Sequence, residues 1–434
     1  MKTLTRNNIV RAIAMVLAMT FITSCNKDYF DQGRYEEIVS EAYPVANVDP
    51  QQTWNCIIGG VIITDMNVDA DVVELQVLAS NPSQPGSCYI INRTPASRGV
   101  HTDLVYETET AMTEVYAACL CKDGSYITKK VPTGTQNVDF STGATLIAKP
   151  VSLMLPYEYN FCFENSFPEP GDFDFNDLVL LVSTSRVSAK AVRLDVTISA
   201  VGAPIQEAAA MRLEGMYPED IDSVVWIKPF VRRDDRENTD MMPMPEDKGY
   251  ILARSGEITI PLFSDAHMSM TNGDYVMENE EVEHICYNTQ AELKTDESTG
   301  QYNGRHISSP ATASVIVYCK DKFTADNITM RRLDAFLVNY YNGALWEIHT
   351  YKYKTNQVIH QFLSKEGNYT DNKIWAILVP GSFKYPLEGV CLGAFYNDIL
   401  AGAYQRYGHS FGQWATDHNT STDWYKYPHT GSVY

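Results

Sequence analysis

The stretch PGDFDFNDLVLLV at residues 170–182 decides how the middle of the chain folds. Its second half, Leu178–Val182, is an uninterrupted apolar run, which is typical of a β-strand that is buried on both faces. Its first half is rich in Pro, Gly and Asp, the residues that favour turns. The stretch therefore predicts a buried strand with an acidic turn at the point where the strand begins.

Strand patterns continue on both sides of this stretch. From about Asp49 to Thr142, short apolar or alternating runs are separated by Pro, Gly and Asp turns, which indicates a small antiparallel β-sandwich. From residue 145 onward the chain is again mostly β, with long polar insertions. One helix is predicted, at Leu387–Arg406, where apolar residues recur at helical spacing.

The chain has 434 residues, more than one hydrophobic core usually supports, so at least two domains are expected. We predict an all-β protein in which a small antiparallel β-sandwich is followed by a larger β-rich domain with one C-terminal helix. The predicted segments are a signal peptide at 1–24, a tether at 25–47, the small domain at 48–142 and the larger domain at 145–434.

The N-terminal residues resemble a bacterial lipoprotein signal peptide. A basic n-region precedes an apolar run at 13–22 that is too short to span a bilayer. The sequence ITSC at 22–25 then resembles the lipobox of signal peptidase II substrates, in which the Cys thiol takes a diacylglyceryl group. We expect the mature protein to begin at Cys25 and to be lipid-anchored in the outer membrane, since Asn26 follows and no Asp is there to signal inner-membrane retention. The alternative is an ordinary cleaved signal peptide with a chance cysteine.

The charge of the chain excludes one class of partner. Removing residues 1–24 deletes three basic residues and no acidic ones, so the net charge goes from −20 to −23. A chain this acidic repels phosphate backbones, so nucleic acid is not an expected partner. The expected partners are the lipid bilayer, through acylated Cys25, and an unidentified surface protein or glycan. No other stretch approaches transmembrane length, so the lipid is the expected anchor.

Eight cysteines remain besides Cys25. An even number in an exported protein permits disulfides, but the spacings match no compact disulfide scaffold or zinc pattern. Cys119 and Cys121 lie in a predicted strand and would point to the same face, where they are poorly placed to bond each other. Burial as small apolar side chains accounts for the cysteines equally well, and the pairing stays open.

The acidic turn is the candidate metal site. Oxygen side chains at alternate positions can converge if the backbone curls before the strand, and Ca²⁺ binds about six to eight such oxygens. The spacing is not that of an EF-hand, because Asp177 stands where the loop glycine belongs and Ser183 where the final Glu belongs. The alternative is a turn whose side chains bond their own backbone. The candidate ligands are Glu164, Asp172, Asp174, Asn176 and Asp177.

A second acidic run, at residues 65–71, alternates Asp or Asn with apolar residues. This alternation predicts a half-buried strand, along which side chains of one face stand about 7 Å apart and cannot share one ion. We interpret it as a solvated strand face.

No familiar catalytic motif is present: the chain has no His-Glu-x-x-His, Gly-x-Ser-x-Gly or phosphate-binding glycine loop. Glu347 and His349 are expected on one face of a strand, where they could act as acid and base or form an ordinary polar contact. The aromatic C-terminal region could stack on sugars or pack in a core. Its aromatic residues include Trp414, Trp424, Tyr425 and Tyr427.

Several C-terminal motifs together resemble the LruC domain of bacterial exported proteins. They occur in family order across about residues 155–427 and include the acidic stretch itself, PLFSDAH at 261–267, WEIH at 346–349 and DWY at 423–425. The resemblance implies an exported or surface lipoprotein, rich in β-structure and without established catalysis. It also favours calcium, because similar acidic motifs are presumed to bind it in related exported β domains. Asn165 departs from the pattern, since members commonly carry a second acid there.

These observations predict an outer-membrane or cell-surface lipoprotein with a binding or structural, adhesin-like role and a structural Ca²⁺ site, and not an enzyme. One alternative is a surface glycan hydrolase that uses Glu347, or Asp174 and Asp177 as a carboxylate pair. Another is a pilus-associated subunit, which would need an exposed, unpaired sheet edge in each domain.

Overall fold

The computed structural model describes most of the chain after the predicted tether. The signal peptide, the tether and Cys25 lie outside the described residues. The described ranges are 48–167, 171–230, 241–244, 248–271, 276–278, 281–290, 294–295, 302–303, 308–341, 343–349, 356–357, 374–392, 409–428 and 433–434.

The described residues form mainly β-strands, as the sequence predicts. The strands of the N-terminal part are β1 (Ile57–Thr64), β2 (Val72–Leu78), β3 (Ser87–Pro95), β4 (Thr102–Glu109), β5 (Glu114–Cys121), β6 (Tyr126–Pro132), β7 (Thr145–Ile147) and β8 (Leu153–Pro156). The later strands are β9 (Glu158–Phe163), β10 (Leu178–Ser188), β11 (Ala191–Val201), β12 (Glu207–Leu213), β13 (Ile221–Lys228), β14 (Ile251–Leu252), β15 (Ile258–Phe263), β16 (Val276–Glu278), β17 (Glu281–Glu283), β18 (Lys294–Thr295), β19 (Tyr302–Asn303), β20 (Ala311–Cys319), β21 (Leu333–Tyr341), β22 (Ala344–Ile348), β23 (Asn356–Gln357) and β24 (Ala376–Pro380).

The helices of the described part are short. They are α1 (Ala266–Met270), α2 (Lys322–Asp326) and α3 (Phe411–Thr416), with single 3₁₀ turns at Met330–Arg332 and Trp424–Lys426. Within the described ranges, no helix has the length and apolar character needed to cross a membrane.

The N-terminal part is a sandwich of two unequal sheets. The two-stranded antiparallel sheet β1-β4 packs on a six-stranded sheet of order β7-β6-β5-β2-β3-β8. In the larger sheet β3 and β8 are parallel, and the other pairs are antiparallel. Ile62 and Leu104 from the pair meet Leu75 and Val115 from the larger sheet in one apolar core. The edge strands of this sheet, β7 and β8, lie within residues 145–434, which the sequence analysis assigned to the larger domain.

The C-terminal part is a larger sandwich of two six-stranded antiparallel sheets. The first sheet has the order β13-β20-β11-β10-β9-β24 and the second has the order β14-β15-β12-β21-β22-β23. Leu180 and Leu194 of the first sheet pack against Met211 and Ile260 of the second. The β10 run is buried on both faces as predicted, since Leu178 and Leu180 face this core and Val179 faces another.

That other core covers the outer face of the first sheet, and it is built from both ends of the described chain. Trp54 from the beginning packs with its ring centroid 5.7 Å from that of Trp414, near the end. Trp424 and Tyr425 are 0% and 1% exposed, so the aromatic C-terminal region serves as core. Gln52 also donates from Nε2 to the Trp414 carbonyl at 2.7 Å.

One local prediction was wrong, and another was placed at the wrong first residue. Residues 65–71 do alternate between exposed and buried, but they form an irregular connection between β1 and β2 instead of a strand, with Met66 at a φ of 51°. The predicted helix does not begin at Leu387, because residues 387–391 form a turn. Leu392 is helical, and residues 393–408 lie outside the described residues. Each pattern reports which side chains are buried, and burial alone does not require the regular backbone hydrogen bonds of a strand or helix.

No disulfide joins the eight cysteines of the described ranges to one another, and seven of them are buried. Cys119 and Cys121 lie on β5 as expected. The interpretation of these cysteines as small, buried apolar side chains therefore fits the structure.

Candidate metal site at the β9–β10 loop

The acidic stretch forms the loop between β9 and β10, two antiparallel neighbours in the first sheet of the large sandwich. Phe163 at the end of β9 pairs with Leu178 at the start of β10. Glu164 follows β9 directly, and its backbone N–H donates to the carbonyl of Trp375 beside β24 at 2.9 Å. The strand pairing thus brings Glu164 next to residues 171–177, although about ten positions separate them in sequence.

The backbone of the loop curls, and this curl allows its carboxylates to converge. Phe173 and Phe175 both adopt positive φ, 54° and 53°, a conformation that costs a non-glycine residue about 1–2 kcal/mol. Both rings are buried in the aromatic core on the outer face of the sheet. Burial of these two rings offsets the backbone cost. Backbone strain of this kind clusters at binding sites.

Three carboxylates meet in this loop. Glu164, Asp172 and Asp174 each offer an oxygen, and these oxygens all lie within 4.8 Å of one another. Glu164 and Asp174 are buried, 0% and 1% exposed, whereas Asp172 is exposed to solvent. The group therefore has a closed inner side and an open outer side.

The electrostatics of the loop disfavour three bare charges. Burial raises the pKa of Asp174 well above its ordinary range, and the negative charges of Asp172, Glu164, Glu388 and Asp177 raise it further. A cation at this point would reverse the effect, because an opposite charge favours the ionised form of a carboxylate.

Asn176 and Asp177 were also predicted as ligands, and their hydrogen bonds position the loop. Asn176 donates from Nδ2 to the carbonyl of Pro386 at 3.0 Å. Asp177 accepts from the backbone N–H of Asn165 at 2.9 Å, which ties the loop to the end of β9. Asp177 is not one of the three converging carboxylates, and Oδ1 of Asn176 is buried without a hydrogen-bond partner among the described residues, so the assignment of these two residues as ligands stays a prediction.

The turn at 386–392 supports the loop from the opposite side. The N–H of Gly389 donates to Oδ2 of Asp174 at 2.8 Å, and the N–H of Leu392 donates to the carbonyl of Phe173 at 2.7 Å. Sequence reasoning missed this contribution, because it assigned these residues to a helix.

Asn165 does not substitute for a ligand of this group. Its side chain donates from Nδ2 to Oε1 of Glu207 at 3.1 Å, on β12 of the opposite sheet. An acid at this position would face the buried Glu207 carboxylate. The departure at Asn165 therefore leaves the three-carboxylate group unchanged in this chain.

Comparison with known proteins gives the family of the chain. The family model described as "Domain of unknown function (DUF4842)" matches residues 188–425, more than half of the chain. The chain belongs to this family. The acidic loop lies just before the DUF4842 match, and the strands from β11 onward lie within it.

Other comparisons add little. No curated protein matches the chain. A crystal structure of a "Putative lipoprotein" from Bacteroides ovatus is similar over 84% of this chain and 99% of that chain, with 13% sequence identity and a TM-score of 0.46.

The DUF4842 region contains the predicted pair Glu347 and His349, on the outer face of the second sheet. His349 contacts Asp334 through Nδ1 at 3.0 Å and Glu347 through Nε2 at 3.3 Å. Nη2 of Arg212 lies 2.9 Å from Oδ2 of Asp334, and Nη1 lies 3.5 Å from Oε2 of Glu257. All five side chains are at most 3% exposed. They form a continuous buried row of alternating charge.

The charges of this row set the protonation of His349. Burial alone would lower the pKa of His349, but the charges and hydrogen bonds of Asp334 and Glu347 outweigh burial and raise it to about 9. The imidazole is therefore charged at neutral pH and pairs with both carboxylates.

The DUF4842 region also brings together three residues that the sequence analysis did not group, Asp265, His267 and His284. Burial lowers the pKa of His267, although Asp265 beside it opposes this effect. His267 is thus neutral at pH 7. The signal in the sequence was weak, because the two histidines lie 17 positions apart.

Proposed function

We propose that the protein is an outer-membrane or cell-surface lipoprotein with a binding or structural, adhesin-like role, anchored through acylated Cys25 and stabilised by one Ca²⁺ ion. The order of basic region, apolar run and lipobox supports the anchor. The resemblance to the LruC domain of bacterial exported proteins also supports this proposal. The partner would be a surface protein or a glycan.

One observation carries the calcium part of the proposal: the convergence of Glu164, Asp172 and Asp174 on a loop with two strained residues. The donors are all oxygens, which suit a hard cation such as Ca²⁺. Three carboxylates leave room for water and backbone carbonyls to complete about six to eight ligands. The ion would join β9 to the loop, so we assign it a structural role.

The buried acids favour a non-catalytic role over a hydrolase. A glycosidase needs two carboxyl groups facing one substrate. Glu347 is 1% exposed and paired with His349, and Asp177 is 5% exposed and accepts from the backbone at Asn165. These groups stabilise the interior.

The anchor is tested by Cys25→Ser. The variant should leave the membrane fraction and lose labelling by a palmitate analogue, because the thiol that accepts the lipid is gone. Cys286→Ser, at a half-buried thiol, is the control and should stay membrane-bound and labelled. Unchanged membrane recovery and labelling of Cys25→Ser would refute the lipid anchor.

The calcium site is tested by thermal unfolding with Ca²⁺ or with chelator. Calcium should stabilise the wild-type protein by about 2.7 kcal/mol at 100 times Kd, because only the folded loop assembles the ligands. Asp174→Asn should abolish most of this gain. In chelator the variant should differ little from the wild type, because the removal of a repelling charge opposes the loss of one of the two backbone N–H bonds that the carboxylate accepts.

Asp69→Asn is the matched control for the calcium experiment. Asp69 belongs to the other acidic run, is exposed, and pairs with Arg98 at 2.9 Å on the surface. This variant should respond to calcium as the wild type does. Equal melting of the wild type in calcium and in chelator would show that the loop is only an acidic turn.

A further inference from the structure

A second group of potential metal ligands lies in the DUF4842 region, apart from the acidic loop. Asp265, His267 and His284 each offer one ligand atom, and these atoms lie within 4.8 Å of one another. Asp265 and His267 are 2% and 1% exposed, and the His284 side chain is 19% exposed. The group contains two imidazoles and one carboxylate, which is a different chemistry from the three carboxylates of the loop.

Local structure places two of these residues at the start of a helix. β15 ends at Phe263, and Asp265 is the N-cap of α1, accepting from the N–H of Met268 at 3.1 Å. His267 is the second residue of α1. His284 comes from a distant segment, immediately after β17. An ion bound here would therefore join α1 to the segment that follows β17.

The hydrogen bond of His267 leaves one ring nitrogen available for a metal. Nε2 lies 2.8 Å from the carbonyl of Ala203. A carbonyl can only accept, so Nε2 carries a proton and Nδ1 is the ring nitrogen that can offer a lone pair to a metal. Nδ1 has no hydrogen-bond partner and faces Oδ1 of Asp265 at 3.6 Å. Metal-binding histidines are commonly held in this way, with the other nitrogen donating to a backbone carbonyl.

The distances fit a small transition-metal ion. Oδ1 of Asp265 lies 3.6 Å from His267 Nδ1, and Oδ2 lies 3.5 Å from His284 Nε2. Ligands at about 2.1 Å from a tetrahedral Zn²⁺ are about 3.4 Å from one another. The centroids of the two imidazole rings are 4.9 Å apart, the rings are inclined by 75°, and their ligand nitrogens lie within 4.8 Å of each other.

We propose that Asp265, His267 and His284 form a binding site for Zn²⁺, with the partly exposed side at His284 leaving a fourth position open to water. Imidazole and carboxylate together suit divalent first-row transition metals, whereas Ca²⁺ prefers an all-oxygen site. The site is independent of the calcium proposal, since the two share no residue.

The test is a Zn²⁺ titration of the purified, untagged protein by calorimetry, repeated with Co²⁺ to read ligand geometry from its visible absorption. The wild type should bind one Zn²⁺, and Co²⁺ should give the intense bands of a four-coordinate ion. Asp265→Asn keeps an N-cap of equal quality but removes the charge. His284→Gln removes a ligand at a partly exposed position. Each should weaken Zn²⁺ binding by more than tenfold, since loss of an outer-shell partner alone costs about 10- to 100-fold.

Two controls separate this site from adventitious binding and from the calcium site. His101 pairs with Asp65 at 2.7 Å on the surface, so His101→Gln removes a His–Asp pair that has no third ligand in its group. It should leave Zn²⁺ binding intact. Asp174→Asn should also bind Zn²⁺ normally. The proposal is overturned if the wild type binds no Zn²⁺, or if His284→Gln and His101→Gln weaken binding equally.

Discussion

His349 is a buried, charged histidine whose proton stabilises the fold. Asp334 and Glu347 contact its two ring nitrogens, and the ring of Phe336 stacks on it with centroids 4.7 Å apart. Because its pKa in the folded protein is about 9, against about 6.5 when unfolded, the folded state binds the proton more tightly. The resulting stabilisation is complete below pH 6.5 and is lost as the pH rises through 9.

We therefore expect the free energy of unfolding to fall between pH 6.5 and 9, by on the order of 3 kcal/mol from this residue. His349→Gln should be less stable than the wild type at pH 6 and should show a flatter pH dependence. Urea unfolding at a series of pH values measures both. His101→Gln changes an exposed histidine and should keep the wild-type slope of unfolding free energy against pH. If His349→Gln also keeps that slope, the pH dependence does not come from His349.

The β9–β10 loop depends on the strand that follows β10. β11 ends at Val201, and the next residue, Gly202, donates its N–H to the carbonyl of Asp177 at 2.8 Å. A Cβ at Gly202 would lie 2.2 Å from Oδ1 of Asn176 and 2.7 Å from its carbonyl oxygen. The backbones meet here so closely that only glycine fits, and this contact positions the second half of the acidic loop.

Gly202→Ala should therefore displace the loop and destabilise the protein by about 1–3 kcal/mol, as overpacking does. It should also reduce the stabilisation by calcium, measured as the melting shift between calcium and chelator. Gly86→Ala is the comparison, because Gly86 has a φ of 115° but nothing within 4 Å of its Cβ position. That variant should lose stability through backbone strain and keep the full calcium shift. If Gly202→Ala keeps the full calcium shift, the contact at Gly202 after β11 does not position the loop.

The two sandwiches are joined by contacts at β4. Arg331 donates from Nε to Glu107 at 2.7 Å, and the carbonyl of Glu107 accepts from the hydroxyl of Tyr159 at 3.0 Å. Glu109 accepts from the hydroxyl of Tyr425 at 2.8 Å and from Lys426 at 2.7 Å. Both glutamates are 7% exposed, so these bonds are worth more than surface ion pairs. The aromatic core that contains Trp54 and Trp414 also joins the two ends of the described chain.

We expect the whole molecule to unfold in one transition for this reason. Every tryptophan lies before β1 or in the C-terminal sandwich, at positions 54, 226, 346, 375, 414 and 424. Tryptophan fluorescence thus follows that sandwich, whereas far-UV circular dichroism follows both. The two denaturation curves should coincide. An earlier transition seen by circular dichroism alone would show that the N-terminal sandwich unfolds independently.

Local sequence patterns determined much of this fold. The apolar run at 178–182 and the alternating runs around it predict strands, because the burial pattern of a strand depends on the order of apolar and polar residues along the sequence. The acidic turn was also located correctly, since Pro, Gly and Asp favour turns without help from the rest of the chain. The same reasoning failed at 65–71, where alternate burial exists without strand hydrogen bonds, and at 387–391, where apolar spacing marks a turn packed on the acidic loop.

Only the tertiary structure decided which side chains meet. The pairing of β9 with β10 places Glu164 beside Asp172 and Asp174, and hydrogen bonds from Asn176 to Pro386 and from Asn165 to Asp177 hold the loop in place. Likewise, His284 reaches Asp265 from another segment. Sequence periodicity reports the face on which a residue lies, but not which distant face packs against it. That choice is made by strand order and by the matching of buried surfaces, which is why the chain's all-β class was predictable and its candidate metal sites were not fully so.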